Sequence, residues 1–448
     1  MWAWLCIGPN TSIFGTTINL RKENGFIYIY CYRNATEASN LQGMAARFYV
    51  SLHQDLVEDI LSRLPVKSLI RFKYVSKACH ALITSSQFTK SHFQRASSQN
   101  PKVLVLIHHR ESLFDVVKSE ALVLSQNHVG HGHDCGFEFK EVDVGFSLSS
   151  TSNIGRVVYT RLASCNGLVC VEFFDEYKDR YGYLVWNPST RSNRNIPRST
   201  RFGRNLYGIC YSFGFGYDYS TDDYKILRSY YYKKNPMLQF EIFSLKSFTW
   251  RKINLDKDDN TAISIRSKVP MKSYNTYFNG AIYWVVEPKL ILMKPSIIYF
   301  DLVEEIFHEV PFPEPVSYLT KQTYSTSLWE LVILGEHLYL SECIGQDFNN
   351  FSIQVWVMKE SWTCTRFATI PYCNTCLRPI FVSNNNSEIL MLHTNDCDGV
   401  IGVELIMYNL KENTNTTIFK PKPAFDSKPD PLIEVATYVE SLYSLDCN

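Results

Sequence analysis

Five aromatic residues recur along the chain at nearly fixed separation: Trp186, Phe243, Phe300, Trp356 and Tyr408, spaced by 57, 57, 56 and 52 residues. Each sits in the same local pattern of apolar strand, polar turn and second strand. The copies occupy residues 185–191, 242–247, 299–304, 355–360 and 407–412, and the strands that follow four of them fall at 248–251, 306–310, 362–365 and 416–419. A second marker travels with the first. Gly167, Gly280 and Gly335 belong to turn-plus-strand units and precede the aromatic of their copy by 19, 20 and 21 residues. Two markers that hold their offset constrain the fold more tightly than any composition. A unit of roughly fifty residues with about four strands cannot bury its apolar face alone and must stack on its neighbour, which is the signature of a β-propeller.

Residues 103–125 supply one earlier, irregular unit (Val103 to Ile107, then Leu113 to Val116), which brings the expected number of blades to about six. The units lack a Gly-Gly doublet, so the sequence reads as a degenerate, kelch-like propeller. An aromatic content of 14%, mostly Tyr and Phe, suits a β-rich fold.

Upstream lies a different periodicity. Leu52, Leu56, Val57, Ile60, Leu61 and Leu64 recur at helical spacing, with Asp55, Glu58, Asp59 and Arg63 on the opposite face. Pro65 stops that helix and can open the next, because it has no amide hydrogen to contribute to a helix interior. Two further apolar sets follow: Val66, Leu69, Ile70 and Phe72, then Val75, Ala78, Leu82 and Ile83. Three short helices in under forty residues make a core too small to stand alone, so the stretch reads as half of an interface.

Residues 52–88 resemble an F-box. The carrying segments are Leu52 to Leu56, Ile60 to Leu69 and Arg71 to Lys77, three submotifs in order at the family spacing. The resemblance implies docking on a Skp-type adaptor, and through it a cullin-based ubiquitin ligase. The adaptor-facing set it suggests is Leu52, Leu56, Ile60, Leu61, Leu64, Pro65, Val66, Leu69, Phe72 and Val75. His53 stands where the family usually has proline and Cys79 where it usually has a core tryptophan. Each departure is expected to weaken adaptor binding without abolishing it.

The downstream half resembles the F-box-associated region of plant F-box proteins, including the S-locus group. Its landmarks here are 165–168 (CNGL), 186–191 (WNPSTR), 214–218 (GFGYD) with Tyr224-Lys225, Ser361-Trp362, and 438–442 (YVESL). The expected organisation is an N-terminal extension at 1–47, an F-box at 48–95 and the associated propeller at 96–445. The fold class is mostly β, a short three-helix module followed by the propeller. The resemblance implies a substrate-recognition subunit that holds a target protein for ubiquitination, a stylar ribonuclease in the S-locus case. Two alternatives stand beside it: a propeller enzyme, for instance a glycan-processing one, and a scaffold with a weakened F-box that never ubiquitinates.

Residues 1–47 show short β-like runs such as 25–32 and no sustained period, and weak packing is expected there. Met44 would be a natural start, with 1–43 an upstream extension. The formal charge of +1 favours neither nucleic acid nor a membrane surface as a general partner. Thirteen cysteines at irregular spacing do not form a disulfide framework, which points to a reduced cytoplasmic or nuclear setting.

No chemistry-bearing motif competes with this reading. Gly214-Phe215-Gly216 lacks the third glycine and following helix of a dinucleotide fingerprint and reads as a blade turn. Cys373 and Cys376 form a lone CxxC, and His128, His131, His133, Asp134 and Cys135, preceded by His108 and His109, fall in a glycine-flanked stretch that breaks the repeat. Both read as loops rather than zinc sites, and no metal or cofactor is expected. Asp218, Asp222, Asp223, Glu304 and Glu305 read as turn residues, and the five arginines between 191 and 204 as a solvated basic loop. No catalytic residue is assigned.

Overall fold

The structure, a computed structural model, describes residues 16–23, 26–33, 48–97, 101–110, 116–127, 136–141, 157–175, 180–199, 208–232, 235–254, 268–270, 275–288, 295–310, 312–313, 328–334, 336–347, 350–358, 362–364, 375–382, 388–397, 400–412, 414–421 and 432–445. Strands β1 (Thr16–Glu23), β2 (Phe26–Arg33) and β3 (Phe48–His53) form an antiparallel sheet in that order. Four helices follow: α1 (Gln54–Ser62), α2 (Val66–Phe72), α3 (Lys77–Thr84) and α4 (Ser86–Ser97).

Two expectations change at this point. Leu52 and His53 belong to β3 and pair with Ile27 and Phe26, so α1 opens at Gln54 rather than at 52. The β-branched and aromatic run at 48–50 continues the sheet and delays the helix. The module also has a fourth helix, α4, beyond the three that the sequence pattern suggests.

The remaining strands make six four-stranded units, one of which carries an extra short strand. The first unit takes β4 (Lys102–Arg110), β5 (Val116–Asn127) and β6 (Gly136–Glu141). The second is β7 (Val157–Cys165), β8 (Leu168–Asp175), β9 (Arg180–Trp186) and β10 (Asn193–Asn195). The third is β11 (Gly208–Asp218), β12 (Asp223–Tyr232), β13 (Asn235–Ser244) and β14 (Thr249–Ile253). The fourth is β15 (Lys268–Pro270) and β16 (Thr276–Phe278), both on β17 (Ala281–Pro288), then β18 (Ser296–Asp301) and β19 (Phe307–Val310). The fifth is β20 (Leu328–Leu334), β21 (His337–Asp347), β22 (Asn350–Met358) and β23 (Trp362–Cys364). The sixth is β24 (Thr375–Val382), β25 (Glu388–Cys397), β26 (Val400–Asn409) and β27 (Thr414–Phe419). The last strand, β28 (Leu432–Tyr438), pairs with β4 and supplies the innermost strand of the first blade. Strands β7, β11, β16, β20, β24 and β28 each touch the next, and β28 touches β7, so the ring is closed. Six blades form a propeller, as the repeat requires.

The period has a packing cause. Each repeat aromatic lies in the third strand of its blade and fills the core shared with the preceding blade. Trp186, Phe243, Phe300, Trp356 and Tyr408 each occupy a different one of these inter-blade cores. All five are essentially solvent-free, at 3% exposure or less. The sixth core, between the last blade and the first, has Leu122 against it from β5, which is why the first blade is invisible to the aromatic count. Asn166-Gly167 and Asn279-Gly280 carry φ values of 47°, 81° and 46°, 82°, the two-residue turn whose twist matches a hairpin. Gly335, the third marker, lies outside the described residues.

Polar groups also enter the cores. Between the second and third blades, Arg161 pairs with Glu172 at 2.7 Å and Arg228 with Glu241 at 2.5 Å. At the fourth–fifth interface Glu342 stands opposite Trp329 and Gln354 in register, 1% exposed, and neither carboxyl oxygen has a hydrogen-bond partner among the described residues. Burial raises its pKa to about 7, with Trp329 opposing the shift. A raised carboxyl pKa means the folded chain keeps a proton that the unfolded chain releases. Stability therefore falls as pH climbs from the ordinary value of 4.5 to about 7, and levels off above. Glu342→Gln is expected to raise stability by about 2–3 kcal/mol at pH 8 and to change it little at pH 4.5. Urea midpoints of the two chains at both pH values check this.

Candidate functional site

Helix α1 buries Val57 and Leu61 and shows its first turn to solvent, with Asp55 at the N-terminal end where the helix dipole favours an acid. Helix α3 opens at Ser76, whose hydroxyl accepts from Cys79 N at 3.1 Å, and Ser85 Oγ accepts from Phe88 N at 3.2 Å near the start of α4. The helices close on one core of Val57, Leu61, Val66, Leu69, Cys79, Ile83 and Phe88, joined by Leu442 from the far end of the chain. Arg63 and Arg95 both hold Asp59, and the Arg95 contact, at 2.8 Å, ties α1 to α4. Hydrogen bonds from Arg95 and then Arg63 outweigh burial and keep the Asp59 carboxyl below its ordinary range.

The ten residues singled out in the sequence divide into groups. Leu61, Val66 and Leu69 are core, at 3% exposure or less, and hold the helices together. Ile60, Leu64, Phe72 and Val75 are half-buried, Leu56 and Pro65 are exposed, and Leu52 lies in β3. Tyr74 was not picked out from the pattern, yet it is 84% exposed beside Leu56 at 55% among the large apolar side chains left uncovered. Its position just past the end of α2 breaks the helical period, so spacing alone does not reveal it. Cys79 is 1% exposed in the core, where burial raises its thiol pKa, so the position is interior as the resemblance implies, with a smaller side chain in it.

The helices sit on one face of the propeller. Strand direction alternates within each blade, so the turns after β7, β9, β11, β13, β16 and β18 all lie at the edge where β28 ends and β4 begins. The chain leaves α4 into β4 there, and residues 439–445 run back over the same face. Asn187 Nδ2 donates to the carbonyls of Ser441 (3.0 Å) and Tyr443 (2.8 Å), and Ser441 N donates to Ser189 Oγ (3.3 Å). Gly167, at φ 81°, touches the same segment: a Cβ there would collide with Ser441 Cβ and the Val439 carbonyl. Glu440 accepts from Val66 N at 3.0 Å and pairs with Lys102. Three sequence landmarks far apart in the chain, at 165–168, 186–191 and 438–442, thus meet at one seam.

The other candidates resolve as follows. Asp218 caps its turn, accepting from the backbone and hydroxyls of Ser220 and Thr221 and pairing with Lys225 at 2.8 Å. Burial opposes its ionisation, but the Lys225, Thr221 and Ser220 hydrogen bonds outweigh it and hold the carboxyl well below the usual range. Asp223 accepts from Ser244 and Lys246 N, while Glu305 pairs with Lys225 and Arg251. Arg194 stacks on Phe248 at 3.7 Å, which takes it out of any free basic patch; Arg201 and Arg204 lie outside the described residues. So do His128 to Cys135 and Cys373. No group of three metal-ligating side chains occurs among the described residues, and none of their helices is long and apolar enough to cross a membrane.

Comparison with known proteins adds to this geometry. The sequence profile of the F-box associated beta propeller domain matches residues 122–445, and that of the F-box domain matches 50–91. F-box protein CPR1 of Arabidopsis thaliana is 24% identical over 401 residues, covering 82% of this chain and 84% of its own length. An F-box/kelch-repeat protein of the same plant is 27% identical over 342 residues, covering 75% of this chain and 83% of its own.

Proposed function

The chain belongs to the F-box-associated β-propeller family, and on that premise we propose that it is the substrate-recognition subunit of a Skp–cullin–F-box ubiquitin ligase. The helices dock the adaptor, the propeller holds the target protein, and the ligase's charged enzyme performs the bond chemistry. Catalysis is by proximity: a target lysine held near the activated ubiquitin meets it at high effective concentration. No residue of this chain is assigned a catalytic role, and a reduced cytoplasmic or nuclear compartment is the setting in which such a ligase would work.

The observation that carries the reading is the pairing of a closed helical core with large apolar side chains left in water. Leu56 and Tyr74 are 55% and 84% exposed on a module whose core is already closed, with Leu442 from the far end of the chain sealing it. Exposed aromatic and aliphatic side chains on a small helical surface are what a partner's groove takes up. The helices meet the propeller on the face that carries the turns after β7, β9 and β11, which leaves the opposite face for the target.

In cells treated with a proteasome inhibitor, proteins retained on the wild-type chain should carry ubiquitin. A chain with Leu56→Asp and Tyr74→Asp should retain the same proteins without it. Equal ubiquitin on both would count against the proposal.

A further inference from the structure

The helical module does not complete its own core; the C-terminus of the chain does. Leu442 is 3% exposed and belongs to the same apolar cluster as Val57, Leu69 and Phe88. Two residues earlier, Glu440 accepts from Val66 N, a first-turn amide that has no partner within α2 and no side-chain cap from Pro65. The propeller grips the other side of this segment through Asn187, Ser189 and the glycine at 167. Further along, Leu445 enters the core between the second and third blades, and Tyr443 packs edge-on against Tyr224 at 4.9 Å. A second bridge, Lys90 to Asp222 at 3.3 Å, joins α4 to the propeller away from the tail.

We propose that residues 439–445 are a strap that fixes the orientation of the helical module on the propeller, with Leu442 and Glu440 as its positioning residues. The idea rests on the ligase reading only for its purpose: a fixed angle sets where a captured target's lysine stands relative to the charged enzyme. The strap joins the two bodies non-covalently from both sides, which a single connection at 98–101 cannot do.

The test reads orientation separately from adaptor binding. Lys90 pairs with Asp222, and Lys246 Nζ donates to the neighbouring Thr221 carbonyl at 2.9 Å, so the two amines lie close together across the seam. A short amine-reactive cross-linker applied to the full-length chain should join Lys90 to Lys246. Leu442→Asp and, separately, Glu440→Ala should lower that cross-link at least several-fold, and Leu442→Met should restore it. Cross-links confined to the propeller should not change. If Leu442→Asp melts the chain, Glu440→Ala carries the test, because it leaves the apolar core intact. A wild-type level of the Lys90–Lys246 link in Glu440→Ala and in every folded Leu442 variant overturns the proposal. Failure of the wild-type chain to bind a Skp-type adaptor overturns the ligase reading and leaves this one standing if the cross-link behaves as stated.

Discussion

A chain ending at residue 431 is expected to show no cooperative unfolding transition. That truncation removes β28, which pairs with β4 along its whole length and closes the ring against β7 and β24. It also takes Ile433 and Val435 from one inter-blade core and Ala436 and Tyr438 from the next. Among the described residues β28 is the strand that lies between the last blade's β24 and the first blade's β4, so two cores open together, and the strap is lost from the helical module as well. Fully burying one large apolar side chain contributes about 1.5–3 kcal/mol, and removing several at once exceeds the stability of an ordinary domain. Differential scanning calorimetry of the two chains reads this directly. A sharp transition in the truncated chain would mean that the ring is held by something other than its terminal strand.

Arg228→Met is expected to destabilise the chain by about 3–5 kcal/mol. The guanidinium donates twice to Glu241 Oε2, at 3.2 Å and 2.5 Å, and lies 4.2 Å from the centre of the Trp250 ring. Both partners are buried, at 6% and 0% exposure, so removing the cation leaves a carboxylate in the interior with the Ser199 hydroxyl, at 3.1 Å, still donating to its other oxygen. Desolvation of the orphaned acid is the dominant cost, not the lost attraction. Adding Glu241→Gln to Arg228→Met should therefore recover a large part of the loss, since a neutral amide needs less solvation. Chemical denaturation of the two single variants and the double variant checks it; a double variant as unstable as the sum of the singles would place the cost in lost packing instead.

The architecture was legible because its cause is local and repeated. Five of the six blades present a large aromatic to the core shared with the preceding blade, so a spacing near 57 residues in Trp186, Phe243 and Phe300 reports a stacking distance in space. The helical module was legible for the same reason, since Val57, Leu61, Val66 and Leu69 fall on the buried side of successive turns. What the pattern did not reveal is what depends on distant partners. Leu442 is an apolar residue near the end of the chain with no period around it, and its place in the helical core follows from the ring bringing β28 back beside β4.

The docking face was half legible. Periodicity finds the apolar side of a helix but does not separate residues that seal the module from those that wait for a partner. Leu61 and Leu56 belong to one stripe, yet one is 3% exposed and the other 55%. Tyr74 escaped because it follows the last turn of α2, where helical spacing no longer applies. The buried acids escaped too. Glu172 and Glu342 are each one carboxylate in an apolar strand, and only the fold reveals that the first meets Arg161 while the second meets no cation among the described residues.

On the ligase reading, the exposed side chains of α1 and of the α2 terminus form the adaptor-binding surface. Titrating a purified plant Skp-type adaptor into the full-length chain by isothermal calorimetry tests it most directly, beside the Leu56→Asp plus Tyr74→Asp variant. A one-to-one complex is expected for the wild type and at least a hundredfold weaker binding for the variant, with unchanged thermal unfolding because neither side chain is in a core. No binding by the wild type, or equal binding by both chains, would contradict it.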